Sequence, residues 1–357
     1  MLARARRRRP GPRTPVGNAI LTTEMISATR VVFPERGQVA LEPFEAGVPG
    51  PNQVEVRTVC SLVSTGTEGI VMHQLFSSNT GWADYGRLPF YPGYALVGIV
   101  ERVGEAVRRP EVGRAVALRR GHASRHVADA DQCNVVPDGI AFDEAVWFAF
   151  ASIAFRGAQA ARIQLGDDVL VVGAGPIGQM MVRWARASGA GHITVVDPFA
   201  ERLVHAQRGG ASTVIAKGVA DAKDEITAAT ETVPSIIVDT TGNARVFEAL
   251  LRLAPRYGRV VLLGDTGRPE EQRLTHDVVL KGVTITGAHD GHDRDGWSGQ
   301  RVTRLFFDLL QSGRFSVAGL VTHRYSPNEC RQAYELTADN RGLTMGVLFD
   351  WSTLTAR

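Results

Sequence analysis

The chain has 357 residues, of which 44% are hydrophobic and 22% are charged. These values are typical of globular proteins and argue against a disordered, collagen-like or coiled-coil chain. At about 150 residues per domain, the length predicts about two domains. Its three cysteines (Cys60, Cys133 and Cys330) form no Cys-x-x-Cys pair, which argues against a disulfide framework and a four-thiolate zinc site and makes a reduced cytoplasm the expected compartment.

Positive charge is concentrated at the N-terminus. Residues 1–24 contain six arginines and one acid, Glu24, so they contribute +5 and leave about −2 for the rest of the net charge of +3. The body of the chain therefore predicts no nucleic-acid groove. We expect the basic segment to be a disordered leader with Met25 as the natural start; a nucleic-acid arm and a targeting signal are the alternatives. No segment reaches the ~18 uninterrupted apolar residues of a membrane span.

The first half of the chain carries β-type patterns. Short runs separated by glycine and proline, at 38–41, 53–59 and 95–103, predict a compact all-β domain. An alanine-rich pattern of helical period follows over residues 142–163.

The sequence pattern changes at Asp168, where continuous apolar runs begin to alternate with segments of helical length. The runs are 168–173, 192–197, 212–215, 235–239, 259–264 and 283–287. They predict an α/β fold with a doubly wound parallel sheet of six strands, covered on both faces. A helix around 302–311, a β-like run with Tyr325 and a helix near 329–336 complete the chain, which is expected to return to the first domain. The predicted division is 25–150 with 290–357 for the β-rich domain and 151–289 for the parallel sheet.

A glycine-rich turn follows the first of these apolar runs. Gly173 allows a tight turn, Gly175 allows a pyrophosphate to approach the backbone, and Gly178 allows close packing of helix and strand. Pro176 and Ile177 complete the turn, and we expect all five residues to contact a dinucleotide. The alternative is a glycine turn without a ligand.

An acid at the end of the next strand indicates which dinucleotide binds. Asp197 lies 24 residues after Gly173, near the ~20 expected for a carboxylate on the ribose hydroxyls. Such a carboxylate repels a 2′-phosphate, and Arg202 is expected to lie along the adenosine. The sequence therefore predicts NAD(H) rather than NADP(H).

Three segments together resemble the medium-chain dehydrogenase/reductase superfamily over roughly residues 25–350: Tyr91–Gly104, Gly166–Gly178 and Val238–Gly242. The resemblance implies a GroES-like catalytic domain, a Rossmann domain and a small-molecule substrate. It also implies that Thr241, Gly264 and His289 contact the coenzyme. A homodimer through the edge strand at 283–287 is expected by the same analogy.

The chain departs from the zinc enzymes of that superfamily. Ser64 stands where they carry a cysteine, Gly93-Tyr94-Ala95 replaces their Gly-His-Glu, and the thiolates of their structural zinc lobe are missing. We therefore expect neither a catalytic nor a structural zinc. The segment from Ser64 to Glu68 resembles a subgroup that includes bacteriochlorophyllide a dehydrogenase and relatives from natural-product pathways.

Without zinc, hydroxyl, imidazole or carboxyl groups must handle the proton. The resemblance brings four candidate catalytic residues together: Thr67, Glu68, Tyr94 and His122. Our hypothesis is that His122 or Tyr94 passes the proton, while Thr67 and Glu68 orient the substrate. The alternatives are structural roles, with Glu68 bonded to a tight turn, Tyr94 packed as an aromatic and His122 in the core.

Residues 289–293 contain two histidines and two aspartates, which are suitable metal ligands. A metal cluster is therefore an alternative for this segment, although a glycine-rich loop does not favour it. His289 itself has the further alternative of capping the end of its strand.

The predicted function is a zinc-independent NAD(H) oxidoreductase that interconverts a secondary alcohol and a ketone on a ring or polyol, with a place in secondary metabolism. An NAD(P)H-dependent quinone or enone reductase and a non-catalytic dinucleotide-binding protein are the alternatives.

Overall fold

The structure, a computed structural model, describes residues 25–293, 295–340 and 342–354. The predicted leader at 1–24 lies outside the described residues. Within them, no helix has the length and apolar character needed to cross a membrane.

The first part of the chain is β-rich, as predicted. Its elements are β1 (Ser27–Val32), β2 (Ala40–Glu45), β3 (Gln53–Leu62), α1 (Thr67–Met72), α2 (Gly81–Tyr85), β4 (Leu96–Val103), β5 (Ala115–Leu118), β6 (Arg125–Asp129) and β7 (Asn134–Val135). No helix was predicted in the segment that contains α2, because a helix of five residues is too short to show a 3.6-residue period.

Two helices, α3 (Phe142–Ala145) and α4 (Phe148–Ala161), follow where a helical pattern was predicted. Helix α4 is almost entirely buried and packs against the helix after the glycine turn, whose Trp184 indole donates to the Ala151 carbonyl at 2.8 Å. The predicted domain boundary at 150/151 falls inside α4.

The predicted six-stranded parallel sheet is confirmed. Its strands are β8 (Asp168–Val172), β9 (His192–Val196), β10 (Thr213–Ile215), β11 (Ile236–Asp239), β12 (Arg259–Leu262) and β13 (Thr284–Gly287). The order is β10-β9-β8-β11-β12-β13, and every neighbouring pair is parallel. The order reverses between β8 and β11, and doubly wound sheets bind ligands beyond the carboxyl ends of their strands at such a point.

Helices connect these strands: α5 (Pro176–Ala187), α6 (Ala200–Gly209), α7 (Lys223–Thr230), α8 (Ala244–Leu253) and α9 (Asp277–Lys281). Strand β13 is the last strand of the sheet, and dimerisation through it stays a prediction.

The C-terminal part returns to the β-rich unit, as expected. It consists of α10 (Gly299–Gln311), β14 (Val321–Tyr325), α11 (Cys330–Asp339) and β15 (Gly346–Asp350). Strand β15 pairs antiparallel with β3 in a seven-stranded sheet that includes β14. The site described next therefore combines residues that lie nearly 300 positions apart.

Candidate active site

The glycine turn has the geometry that its sequence predicts. Gly173 has a φ of +92°, and a Cβ on Gly178 would lie 2.0 Å from the Gly173 carbonyl oxygen. Both positions therefore require glycine. Gly175 precedes α5, with Pro176 in the first turn, and its Cβ direction is open except for the Arg202 guanidinium at 3.7 Å.

Asp197 lies directly under this turn. Its two carboxylate oxygens accept the Ala174 N–H at 2.7 Å and the Phe199 N–H at 2.8 Å. The Arg202 guanidinium lies 3.8 Å from the same carboxylate. Because a carboxylate has about four acceptor positions, Asp197 keeps capacity for further donors such as hydroxyl groups.

A second turn, at the carboxyl end of β11, packs against the glycine turn. The Thr240 hydroxyl contacts the carbonyl oxygens of Val172 and Gly173 at 2.9 and 3.1 Å. Gly264 approaches the same turn so closely that a Cβ would lie 2.4 Å from the Gly242 nitrogen. The predicted contacts Thr241 and Gly264 are therefore neighbours, and Thr240 is a residue that sequence analysis missed.

A cleft separates this edge from the β-rich unit. A cavity of about 420 Å³ lies between them, lined on one side by Ile70 and Leu75 and on the other by the turns after β11 and β12, including Thr241 and Asp265. The cleft thus brings the α1 region to the carboxyl edge of the parallel sheet.

Three hydroxyl groups meet beside α1. The Ser64 and Tyr94 hydroxyl oxygens are 2.7 Å apart, and the Thr67 hydroxyl also bonds to Tyr94. The Tyr94 ring is half-buried and stacks on Phe150, with 5.6 Å between centroids. We call Ser64, Thr67 and Tyr94 the hydroxyl cluster.

The surroundings keep the Tyr94 phenol protonated. Burial raises the pKa of Tyr94 well above its ordinary value, and the nearby Glu68 charge adds to the rise. Hydrogen bonds from Ser64 and Thr67 and the positive charge of Arg119 lower the pKa and partly oppose this effect. Tyr94 is therefore a neutral hydrogen-bond donor throughout the physiological pH range.

The donor set of the hydroxyl cluster does not fit zinc. Protein zinc sites use thiolate, imidazole or carboxylate ligands, whereas Ser64, Thr67 and Tyr94 offer two aliphatic hydroxyls and a phenol. Across the described ranges, which omit positions 294 and 341 and both termini, no three His, Cys, Asp or Glu side chains come together as a metal site.

Glu68 and His122 lie beneath this cluster, and each is 1% exposed. The Glu68 carboxylate accepts the Ser64 N–H at 2.9 Å and the Tyr334 hydroxyl, and lies 3.2 Å from His122 Nε2. His122 Nδ1 bonds to the Ser61 hydroxyl at 2.8 Å, which also accepts the Trp351 indole N–H at 2.9 Å. Catalytic roles for Glu68 and His122 stay predictions, and this geometry supports structural roles.

His289 follows β13 and is exposed, with its Nδ1 accepting the Gly291 N–H at 3.1 Å. Its neighbour Asp290 pairs with Arg119 at 2.8 Å and accepts the Ser152 hydroxyl at 3.0 Å. The Asp293 carboxylate pairs with Arg156. Because arginines hold both carboxylates, this loop ties the two units together and does not present the alternative metal cluster.

Sequence analysis missed the partners that complete these networks: Ser61, Arg119, Phe150, Tyr334 and Trp351. None carried a motif, because each reaches the site through tertiary contacts with a distant segment. Asp239 is different, since it ends an apolar strand just as Asp197 does, and that signal was available.

Comparisons with known proteins agree with this architecture. A model of the zinc-binding dehydrogenase family matches residues 176–306. The chain is 30% identical over 299 residues to L-threonine 3-dehydrogenase of Anaeromyxobacter sp. strain K, covering 74% of this chain and 82% of that protein. It is 26% identical over 355 residues to bovine sorbitol dehydrogenase, covering 88% and 94%.

Two solved structures share the fold. An alcohol dehydrogenase of Escherichia coli CFT073 in complex with NADH has a TM-score of 0.77 and 20% identity, covering 91% of this chain and 99% of the other. A zinc-binding dehydrogenase of Sinorhizobium meliloti 1021 bound to NADP has a TM-score of 0.75 and 19% identity, with the same coverage. These structures show the fold, and the 30% identity to L-threonine 3-dehydrogenase over 74% of this chain shows that the chain belongs to the medium-chain dehydrogenase/reductase superfamily of oxidoreductases.

Proposed function

We propose that this chain is a zinc-independent, NAD(H)-dependent oxidoreductase that interconverts a secondary alcohol and a ketone on a ring or polyol substrate. The observation that carries the proposal is the hydroxyl cluster, which offers a protonated phenol and no set of zinc ligands beside α1, the helix whose Ile70 lines the interdomain cleft. Zinc independence would set this chain apart from the family description, and the proposal of it rests on the chemistry of Ser64, Thr67 and Tyr94.

The carboxyl edge of the parallel sheet would hold the coenzyme. The turn at Gly173, Gly175 and Gly178 leaves room for a pyrophosphate at the start of α5, where the helix dipole favours negative charge. Asp197 would accept ribose hydroxyls, and its carboxylate disfavours a 2′-phosphate. Of the two solved structures with this fold, one holds NADH and the other NADP. The fold therefore does not decide between the coenzymes, and the proposal of NAD(H) rests on Asp197.

Bound nicotinamide supplies or accepts the hydride, and the chain's own residues handle the proton. In the direction of reduction, the ketone carbon gains a hydride while its oxygen takes the Tyr94 phenolic proton, and solvent returns a proton to Tyr94. Ser64 and Thr67 hold the phenol in place. The raised pKa of Tyr94 keeps the phenol protonated, so that its proton is present when a ketone is to be reduced.

Behind Tyr94 lies the hydrophobic core, where Phe150 meets Trp147 edge-on at 5.5 Å and both side chains are buried. These rings hold the phenol from behind, and the substrate class is argued from the relatives. The names of the relatives, threonine and sorbitol dehydrogenases, support a hydroxyl-bearing substrate.

The substitution Tyr94→Phe tests the proton donor. We expect turnover of cyclic ketones with NADH to fall at least ~100-fold, since positioned acid–base groups contribute 10²–10⁴. The matched control is Tyr91→Phe, which changes an exposed tyrosine stacked on Arg30. Retention of turnover within threefold in Tyr94→Phe would contradict the mechanism, and one tightly held zinc per chain by elemental analysis would contradict zinc independence.

The ratio of kcat/KM for NADH and NADPH tests the coenzyme assignment. We expect the native chain to prefer NADH, and Asp197→Ala to lose most of that preference. Glu201→Ala is the control, because Glu201 is an exposed acid in the first turn of α6. A tenfold preference of the native chain for NADPH is the result that overturns the assignment.

A further inference from the structure

Asp239 is a buried carboxylate at the point where the strand order of the parallel sheet reverses. It is the last residue of β11 and is 1% exposed. One oxygen, Oδ1, accepts the Thr241 N–H at 2.8 Å and the Thr241 hydroxyl at 2.7 Å. The other oxygen, Oδ2, has no hydrogen-bond partner among the described residues.

Among residues 25–293, 295–340 and 342–354, no charged group compensates this carboxylate. Its register partners on the neighbouring strands are Val172 of β8 and Leu262 of β12. The loop after β12 carries Asp265, which is exposed and accepts the Thr266 N–H. Burial raises the pKa of Asp239 to about 6, and only hydrogen bonds from the turn at Thr241 oppose the rise. A buried oxygen without a partner costs stability, so stability does not explain why this residue is a carboxylate.

The carboxylate dictates how Thr241 presents its hydroxyl group. An ionised carboxylate only accepts hydrogen bonds, so the Thr241 hydroxyl proton must point toward Asp239. The lone pairs of the same oxygen then face away, and one accepts the Asn243 N–H at 3.1 Å. Thr241 is exposed and lines the interdomain cavity of about 420 Å³, so its remaining lone pair is available to a hydroxyl or amide donor of a ligand.

The same turn is locked to the phosphate-binding glycine turn. Thr240 donates to the carbonyl of Val172 and packs against Gly173, where a Cβ would lie 2.6 Å from its hydroxyl oxygen. Asn243 begins α8, and its side chain accepts the Arg245 N–H at 2.9 Å. Any change in how Asp239 holds Thr241 is therefore transmitted to the coenzyme cleft.

We propose that Asp239 is a positioning residue of the coenzyme site, whose carboxylate fixes the Thr241 hydroxyl as an acceptor for a donor group of the bound dinucleotide. This inference rests on the proposed function, because it requires a dinucleotide in the cleft. It adds a residue that acts through Thr241 and does not itself contact the ligand.

Calorimetric titration with NAD⁺ at pH 5.0 and pH 7.5 tests the inference, and NAD⁺ is the probe because NADH decomposes in acid. We expect the affinity of the native chain for NAD⁺ to rise from pH 5.0 to pH 7.5. This rise should be about tenfold larger than the rise measured for Asp239→Asn. At pH 7.5, Asp239→Asn and Thr241→Val should bind about tenfold more weakly than the native chain, and Thr241→Ser should restore binding. Asp277→Asn, which changes a carboxylate of α9 paired with Lys281, should behave like the native chain.

The outcomes of this titration distinguish failure of the proposed function from failure of the role of Asp239. If the folded native chain does not bind NAD⁺ at either pH, the proposed function falls, and this inference falls with it. If the native chain binds NAD⁺ but Asp239→Asn has the same affinity and the same pH profile, only the role of Asp239 is overturned. Equal weakening at both pH values by Asp239→Asn, without rescue in Thr241→Ser, would also overturn it, because a general structural role predicts that pattern.

Discussion

Glu68 and Asp239 are two carboxylates that are each 1% exposed, yet their surroundings are opposite. Glu68 receives the Ser64 N–H, the Tyr334 hydroxyl and a contact from His122. Asp239 receives donors only from its own turn, at Thr241 and Gly242. The partners of the first carboxylate include residues from distant segments, whereas Oδ2 of the second has no hydrogen-bond partner among the described residues.

This difference separates a structural from a positioning role. A buried ion that is fully hydrogen-bonded holds its partners in one arrangement, and the removal of one partner leaves the others unpaired. A buried ion with an unpaired oxygen lowers stability, so stability does not account for its presence, and we propose a positioning role for it. Exposure alone, identical for both residues, does not distinguish these cases.

The largest expected effect on stability is that of Glu68→Ala. It leaves the Tyr334 hydroxyl, the Ser64 N–H and His122 without their common acceptor, so we expect a loss of about 3–5 kcal/mol in the free energy of unfolding. Denaturant unfolding at neutral pH measures the loss. Glu35→Ala, which removes an exposed carboxylate bonded to Gln38, is the control and should change stability by less than about 1 kcal/mol. A loss below about 1 kcal/mol in Glu68→Ala would show that this network does not hold the α1 region.

A smaller effect of opposite sign is expected for Asp239→Asn. The pKa of Asp239 rises from 3.8 to about 6 on folding, so its contribution to stability is fully present below pH 3.8 and is lost as the pH rises through about 6. About two units at about 1.4 kcal/mol each give a cost of at most about 3 kcal/mol at pH 8.

The neutral amide avoids this cost. Relative to the native chain, Asp239→Asn should therefore gain stability between pH 5 and pH 8, and thermal unfolding across that range measures the gain. If the difference in stability between the native chain and Asp239→Asn stayed the same across this pH range, that result would contradict a buried charge at Asp239. If Asp239→Asn is more stable than the native chain at pH 8 and also binds NAD⁺ more weakly, the carboxylate lowers stability and supports ligand binding.

Local patterns were sufficient wherever the signal lies within one segment. The six apolar runs predicted the parallel sheet within one or two residues, because strands buried on both faces must be continuously apolar. The glycine turn was predicted from its spacing, since steric limits at Gly173 and Gly178 act between near neighbours. The short helix α2 was missed because five residues cannot display a helical period.

Roles at the site were harder to predict because they depend on exposure and on distant partners. Thr67 and Glu68 are adjacent in the sequence and looked equivalent as candidates. Helix α1 turns the first toward Tyr94 and the second toward Tyr334, 266 positions away. His122 also looked like a proton carrier, but Ser61 and Glu68 occupy both ring nitrogens.

The sequence by itself determined the class of the fold and the glycine turn with its acid at Asp197. These follow from steric rules and ligand chemistry that operate at single positions. Only the tertiary structure decided which polar residues face the cleft and which are sealed beneath it. Hydrogen-bond saturation and burial are properties of segments brought together in space, and no local pattern encodes them.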